Sequence, residues 1–188
     1  MEPQVDTNGK GHRAKVTART HDLDTLAKMS VDALGRLYAG GTTPKNLAPL
    51  DGHPRGRMLS VKKLDGGFVG SLLRNFAASG PFPWGGKSFS GQGERGEGIN
   101  RVHLGGRHQL FPFHTHIAPS VVDGKPCIVL DYDRVDNPGV IRSIHDEVRE
   151  VDDGLYLGPA MWKTKRGPVF VLWFALDTRI QAIPIGQP

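Results

Sequence analysis

Two histidines separated by one residue are the most conspicuous chemical feature of the sequence, in the segment Phe111–His116. Alternate side chains of a β-strand share a face, so His114 and His116 would lie together, opposite Phe113 and Thr115. Imidazoles exchange protons near neutral pH and also bind metals. The pair therefore has three interpretations: metal ligands completed by a third residue across the sheet, polar lining of a ligand cavity, or solvent-facing side chains.

Charged residues between 131 and 149 form a second group that could do chemistry. Asp131 precedes Tyr132 on a predicted strand. A helix predicted over 138–150 would place Asp146 one turn before Arg149. A guanidinium held by a carboxylate can clamp an oxygen-bearing ligand or stabilise a developing negative charge. The same spacing also fits solvated ion pairs, each worth about 0.5 kcal/mol.

Trp84 and Lys87 belong to a third group, in the segment Pro83–Phe89. Two glycines follow Trp84 and favour close backbone packing, so the indole is predicted to plug one end of a barrel in preference to contacting a ligand. Lys87 has the chemistry of a Schiff-base or anion-binding lysine. The sequence alone gives no reason for a shifted pKa at this lysine.

Charge and cysteine usage exclude several classes of protein. The net charge of +5 is spread along the chain without a block of like charges, so no nucleic-acid partner is predicted. No apolar run approaches the roughly 18 residues of a membrane span. The single cysteine, Cys127, lies in an apolar stretch and is predicted to be buried; with a polar N-terminus, it favours a cytoplasmic protein. No metal or cofactor is predicted.

The elements that must position these residues are short, because 25 glycines and 14 prolines supply many turns. Helices are predicted over 22–39 in two pieces with Ser30 as an N-cap, over 68–76, and over 138–150 with Asn137 as an N-cap. Alternation and turn signals predict strands over 55–64, 82–90, 98–105, 109–118, 126–133, 154–163 and 168–177. Residues 91–98 contain Gly-x-Gly-x-x-Gly, but a predicted strand follows, so this segment is interpreted as a hairpin loop.

Four segments between residues 50 and 177 resemble the GXWXG-domain proteins of bacteria and fungi, a broadly lipocalin-like family of unknown function. These segments are 50–59, 83–89, 130–138 and 146–158. Pro54 stands where the family has its tryptophan. The resemblance implies a fold and no particular chemistry.

We therefore predict an α+β, mainly β fold: a small antiparallel, lipocalin-like β-barrel or strongly curved sheet with two to three peripheral helices. Residues 1–20 are predicted to be a flexible lead-in, 21–180 a single barrel-like domain, and 181–188 a frayed tail.

The predicted function is that of a cofactor-independent lyase, isomerase or cyclase acting on a small hydrophobic metabolite inside the barrel. A histidine would be the general base and Arg149 would stabilise oxyanion charge. The predicted catalytic residues are His114, His116, Asp146 and Arg149, and the predicted ligand-binding residues are Trp84, Lys87, His103, Phe113, Asp131, Tyr132 and Trp162. The alternatives are a non-catalytic carrier of such a metabolite and a haem-binding barrel; a homodimer is possible for each.

Overall fold

The computed structural model describes residues 20–61, 84–91, 93–103 and 105–183. The helix predicted over 68–76 lies outside these residues. So do nearly all of the predicted lead-in and most of the predicted tail. In the described part of the chain, no helix is long and apolar enough to cross a membrane.

Eight antiparallel strands form a closed barrel in which each strand pairs with the next and β8 pairs with β1. The strands are β1 Pro54–Val61, β2 Trp84–Ser90, β3 Arg95–Val102, β4 His108–Pro119, β5 Pro126–Asp131, β6 Ile144–Asp152, β7 Leu155–Trp162 and β8 Val169–Gln181. This architecture confirms the predicted mainly β, lipocalin-like barrel. Closure also pairs every strand on both sides, so the barrel has no open edge.

Three short α-helices and one 3-10 helix accompany the barrel in the described residues. They are α1 Leu23–Ala27, α2 Val31–Gly40, the 3-10 helix Ala48–Leu50 and α3 Gly139–Arg142. Ser30 caps α2 as predicted, because its hydroxyl accepts a hydrogen bond from the backbone N–H of Ala33 at 3.2 Å.

The helix predicted over 138–150 is wrong. Only Gly139–Arg142 is helical, and Ile144–Asp152 forms strand β6. Val140, Ile144 and Val148 repeat every four positions, which fits a helix, but they are β-branched and are also an even number of positions apart, which fits a strand. Pairing with β5 and β7 on both sides decides the outcome, since tertiary contacts outweigh local propensity.

Two apolar clusters lie on the two sides of the barrel wall. The interior cluster includes Phe113, Leu130, Tyr156 and Phe174, and the 3-10 helix and its N-cap residue add Leu50 and Leu47 to it. The outer cluster packs α1 and α2 against the outside of the barrel through Leu26, Leu34, Tyr38, Leu155, Leu157 and Trp173. The strand alternation explains this division, because Tyr156 points inward between two leucines that point outward.

Candidate functional site

Lys87 is a buried lysine in the interior of the barrel, with 3% of its surface exposed. Its Nζ donates hydrogen bonds to Asn100 Oδ1 at 2.9 Å, to Asp146 Oδ2 at 3.1 Å and to the Tyr132 hydroxyl. These four residues form the interior polar cluster. An ammonium group has three hydrogens, so this geometry uses all of them.

Strand register explains how these residues meet. Lys87 on β2 and Asn100 on β3 are direct register partners, so their side chains leave the sheet side by side. Asp146 on β6 faces Leu130 on β5, and Tyr132 directly follows the end of β5. The lysine and the asparagine therefore reach across the interior to the tyrosine and the aspartate.

Asn100 connects this cluster to a strained position on β4. Its Nδ2 donates to the backbone carbonyl of Phe111 at 3.1 Å and to the Tyr132 hydroxyl at 3.3 Å. Ile99 pairs with Pro112 and Asn100 with Leu110, which makes Phe111 the extra residue of a β-bulge. Phe111 has a φ of 59°, a region that few residues other than glycine adopt. The bulge turns its carbonyl toward the asparagine.

Tyr132 is held at both its backbone and its hydroxyl. Asn137 Nδ2 donates to the Tyr132 carbonyl at 2.9 Å and to the Pro112 carbonyl at 2.7 Å. The hydroxyl donates to Asp146 Oδ2 at 3.0 Å. Burial and the nearby carboxylate raise the pKa of Tyr132 well above its ordinary value, so the hydroxyl remains a proton donor at neutral pH.

Aromatic rings surround the Lys87 ammonium group. Its Nζ lies 5.3 Å from the ring centroid of Trp84, 5.1 Å from Phe113, 5.2 Å from Tyr132 and 5.1 Å from Phe174. The ring faces attract a cation. Burial nevertheless lowers the pKa of Lys87, although the Asp146 carboxylate opposes this change.

Asp146 has one carboxylate oxygen in use and one available. Oδ2 accepts hydrogen bonds from Lys87 and Tyr132, whereas no hydrogen-bond donor of the described chain reaches the buried Oδ1. Leaving a buried acceptor without a partner costs about 1–3 kcal/mol, and more when the group is charged. A hydrogen-bond donor on a bound molecule would remove this cost.

Five of the predicted site residues meet in the interior: Trp84, Lys87, Phe113, Tyr132 and Asp146. The Trp84 indole N–H donates to Asn100 Oδ1 at 3.1 Å. Trp162, a sixth, is partly buried and packs against the interior cluster.

His114 and His116 share a face, as predicted, but it is the outer one. Phe113 and Thr115 are buried, whereas the His114 side chain is 54% exposed and lies 3.4 Å from Glu97. The predicted role of general base inside the barrel is therefore wrong for both, because the alternation of β4 turns them away from the interior. Within the described ranges, no group of three or more His, Cys, Asp or Glu side chains could hold a metal ion.

The predicted pairing of Asp146 with Arg149 is also wrong. On strand β6 a separation of three residues places the two side chains on opposite faces. The Arg149 guanidinium lies outside the barrel wall, where it donates to the Asp123 carboxylate at 2.8 and 2.6 Å and stacks on the Tyr38 ring at 4.4 Å. The predicted oxyanion-stabilising role in the interior is therefore not available to it.

Two predicted ligand-binding residues also lie outside the interior. His103 is exposed at the end of β3, where its imidazole packs against Gly85. Asp131 is half-exposed and accepts a hydrogen bond from Lys163 at 3.0 Å. Both predictions are wrong in placement, since His103 comes after the last paired residue of β3 and Asp131 alternates with the inward-facing Tyr132.

Asn100 belongs to the interior polar cluster but is absent from the residues predicted from the sequence. A signal was present, because asparagine is depleted in strand interiors and this one follows Gly98 and Ile99 without a turn dipeptide. An amide in such a position usually has a specific hydrogen-bonding role. The Phe111 bulge has no comparable signal.

Comparisons with known proteins show no family for this chain. No family model matches the sequence, and no curated protein matches it. One solved structure, a protein from Thermomonospora curvata, is similar with a TM-score of 0.49 and 17% sequence identity. The similarity covers 79% of this chain and 87% of that one.

Proposed function

We propose that the barrel interior binds a small, mostly apolar molecule with a hydrogen-bond donor and acts on it as a cofactor-independent lyase, isomerase or cyclase. The observation that carries this proposal is the buried Asp146 Oδ1, which accepts no hydrogen bond from the described residues. A donor group on the ligand fits this oxygen, and the aromatic rings around Lys87 fit an apolar body.

The cost of burying the interior polar cluster supports a functional role. Transfer of a carboxylate and an ammonium group from water costs several kcal/mol each, and their mutual attraction offsets this cost only in part. Apolar side chains of similar volume would fill the same space at least as stably. Ionisable groups kept in a protein interior despite this cost are concentrated at functional sites.

In this proposal Asp146 takes the role that the sequence analysis gave to the histidines. Its Oδ1 would accept a proton from the substrate, while Lys87 and Tyr132 hold Oδ2 and fix the carboxylate in place. The same two donors would stabilise negative charge that develops beside them, the role first predicted for Arg149.

A non-catalytic carrier is the second candidate. The hydrogen-bond donors of the interior polar cluster are already paired with acceptors, which favours this candidate. All three hydrogens of Lys87 and the hydroxyl of Tyr132 already have acceptors. A carrier needs only the remaining acceptor, Asp146 Oδ1, to orient its ligand. The resemblance to the GXWXG family is compatible with both candidates, because it implies no chemistry.

A cytoplasmic location is part of the proposal. Cys127 is a free, fully buried thiol, and burial raises its pKa to about 12, so it is unreactive. A chain without a disulfide is typical of a reducing compartment.

The test begins with mass spectrometry of small molecules that co-purify with the protein. Affinity and turnover of the molecule found are then compared between the wild type, Asp146→Asn and the control Asp133→Asn. Asp133 is an exposed aspartate just beyond β5 that pairs with Arg142 on the outside.

We expect Asp146→Asn to weaken binding by about tenfold to a hundredfold, the value of a hydrogen bond to a charged group, and to abolish turnover. Asp133→Asn should change neither. If the wild type binds the molecule without turning it over, the protein is a carrier and not an enzyme. Equal affinity in Asp146→Asn and the wild type would contradict both candidates.

A further inference from the structure

We propose that Lys87 Nζ forms a Schiff base with the carbonyl carbon of a hydrophobic aldehyde or ketone bound among the rings of Trp84, Phe113 and Phe174. This inference rests on the proposed function and names its substrate class. Since Asp146 Oδ1 calls for a hydrogen-bond donor, the substrate would also carry a hydroxyl group.

The surroundings of Lys87 differ from those of the other described lysines. Lys87 is almost completely enclosed on the inner face of β2, whereas Lys163 is partly exposed and the remaining ones are exposed: Lys28, Lys45, Lys125 and Lys165. An ammonium group in water stays protonated at neutral pH. Among aromatic rings the neutral amine is easier to reach, and only the neutral amine is a nucleophile.

The rings also favour the product of the reaction. A Schiff base hydrolyses readily in water, and a water-excluding environment protects it. Four ring centroids lie between 5.1 and 5.3 Å from Nζ, so an apolar group attached to the carbonyl carbon would meet aromatic surface.

Two proton-transfer groups contact the nucleophile directly. Asp146 Oδ2 lies 3.1 Å from Nζ, and the Tyr132 hydroxyl is hydrogen-bonded to both. Formation of an imine requires a proton to leave nitrogen and another to reach the departing oxygen. The cluster provides both functions without a cofactor.

Formation of the imine takes four steps within the cluster. The Asp146 carboxylate takes one proton from the Lys87 ammonium group, and the resulting amine adds its lone pair to the carbonyl carbon while the C=O π electrons move to oxygen. The Tyr132 hydroxyl relays a second proton from nitrogen to that oxygen. The protonated Asp146 then gives its proton to the carbinolamine hydroxyl, the C–O bond breaks, and water leaves. The product is a protonated imine beside a carboxylate.

The experiment uses the full chain, 2-naphthaldehyde as the probe and sodium cyanoborohydride as the hydride donor at pH 7. Hydride reduces the imine carbon to a stable secondary amine, which intact-mass measurement counts and peptide mapping locates. We expect one naphthylmethyl group per chain, on Lys87. The group should be absent from Lys87→Met and present in Lys163→Met, a matched control in which the lost lysine also pairs with an aspartate, at 3.0 Å from Asp131.

If Lys87→Met does not fold, Lys87→Arg serves instead, because it keeps the charge and a guanidinium forms no comparable imine. Labelling spread over the exposed lysines, or absent from Lys87, would overturn the inference. A second probe, 2-naphthol, has the hydroxyl and lacks the carbonyl. If 2-naphthol binds the wild type at least tenfold more tightly than Asp146→Asn while Lys87 stays unlabelled, the Schiff base is wrong and the proposed function stands. If 2-naphthol also fails to bind the wild type, the proposed function fails as well.

Discussion

At the scale of single residues, Lys87 and Asp146 depend on each other for their stability in the barrel. Each is almost completely enclosed, with side-chain exposures of 3% and 5%, and their charged atoms lie 3.1 Å apart. Removing one charge would leave the other buried without its counter-ion, which typically costs 3–5 kcal/mol. Removing both charges avoids that penalty.

We therefore predict that Lys87→Met lowers the free energy of unfolding by about 3–5 kcal/mol and that adding Asp146→Leu restores most of it. Urea denaturation of the two single variants and the double variant measures the coupling. If the losses of stability in the two single variants simply add in the double variant, Lys87 and Asp146 do not stabilise each other. The description of the cluster would then be incorrect.

A second prediction at this scale concerns the histidines that the sequence singles out. Because His114 and His116 lie on the outer face of β4, His114→Ala and His116→Ala should leave ligand affinity and any turnover within about twofold of the wild type. Assays of the molecule found by co-purification check this. A tenfold loss of affinity or turnover in either variant would indicate that the site lies on the outer face of the barrel.

At the scale of elements, the β5–β6 connection positions Tyr132. The Asn137 side chain bridges the carbonyls of Tyr132 and Pro112, and so ties this connection to β4. The sequence predicts that Asn137 is a helix N-cap, which is a role among neighbouring residues. One of its hydrogen-bond partners in the structure is Pro112, which lies 25 positions earlier in the chain. Local patterns predict caps and turns well, but they contain no information about such distant partners.

We predict that Asn137→Ala lowers the free energy of unfolding by about 1–3 kcal/mol, because one buried and one partly buried hydrogen bond are lost. It should also weaken binding in the interior, since the Tyr132 hydroxyl loses its fixed position. Urea denaturation and the affinity for 2-naphthol measure the two effects. Asn46→Ala, which removes the exposed side-chain oxygen that accepts a hydrogen bond from the Ala48 backbone N–H, is the control and should change neither quantity by a comparable amount.

The segment 138–150 fits both a helix and a strand, and it shows what a single sequence can and cannot decide. The turn signals predict seven of the eight strands to within a few residues, and β6 is the exception. Trp84, Lys87 and Phe113, which the sequence predicts as ligand-binding residues, lie together in the interior. The face of each strand and the register across the barrel decide which side chains meet, and these depend on closure. Asp146 and Arg149 therefore appeared as partners on a helix, although β6 separates them by the thickness of the wall.

At the scale of the whole molecule, the barrel wall separates two buried polar groups with different roles. Inside lies the cluster around Lys87. Outside, beneath α2, Glu147 accepts hydrogen bonds from Tyr38, Ser120, the Val121 backbone N–H and His145. This outer group joins α2, β6 and the β4–β5 turn, so it contributes to the stability of the whole fold.

The outer group predicts how stability depends on pH. Burial alone would raise the pKa of Glu147, but hydrogen bonds from His145, Ser120 and Val121 lower it from 4.5 to about 2. A carboxylate with a depressed pKa stabilises the folded state above the unfolded pKa, and this stabilisation is lost as the pH falls.

We expect Glu147 to lower the free energy of unfolding by about 3 kcal/mol as the pH falls from 5 to 2, in addition to the losses that other carboxylates contribute. Urea denaturation over this range measures it, with Glu147→Gln as the comparison. The variant should be less stable than the wild type at pH 6, and this difference should shrink by pH 2. A constant difference at all pH values would contradict the prediction.

We propose that a ligand donates a hydrogen bond to Asp146 inside the barrel. The most direct test is a carbon NMR titration of protein labelled with ¹³C at the aspartate Cγ, with 2-naphthol or the co-purified molecule as the ligand. Asp146→Asn and Asp133→Asn assign the two resonances. We expect saturating ligand to shift the Asp146 resonance and to leave the Asp133 resonance in place. A bound ligand that leaves the Asp146 resonance unchanged would contradict this proposal.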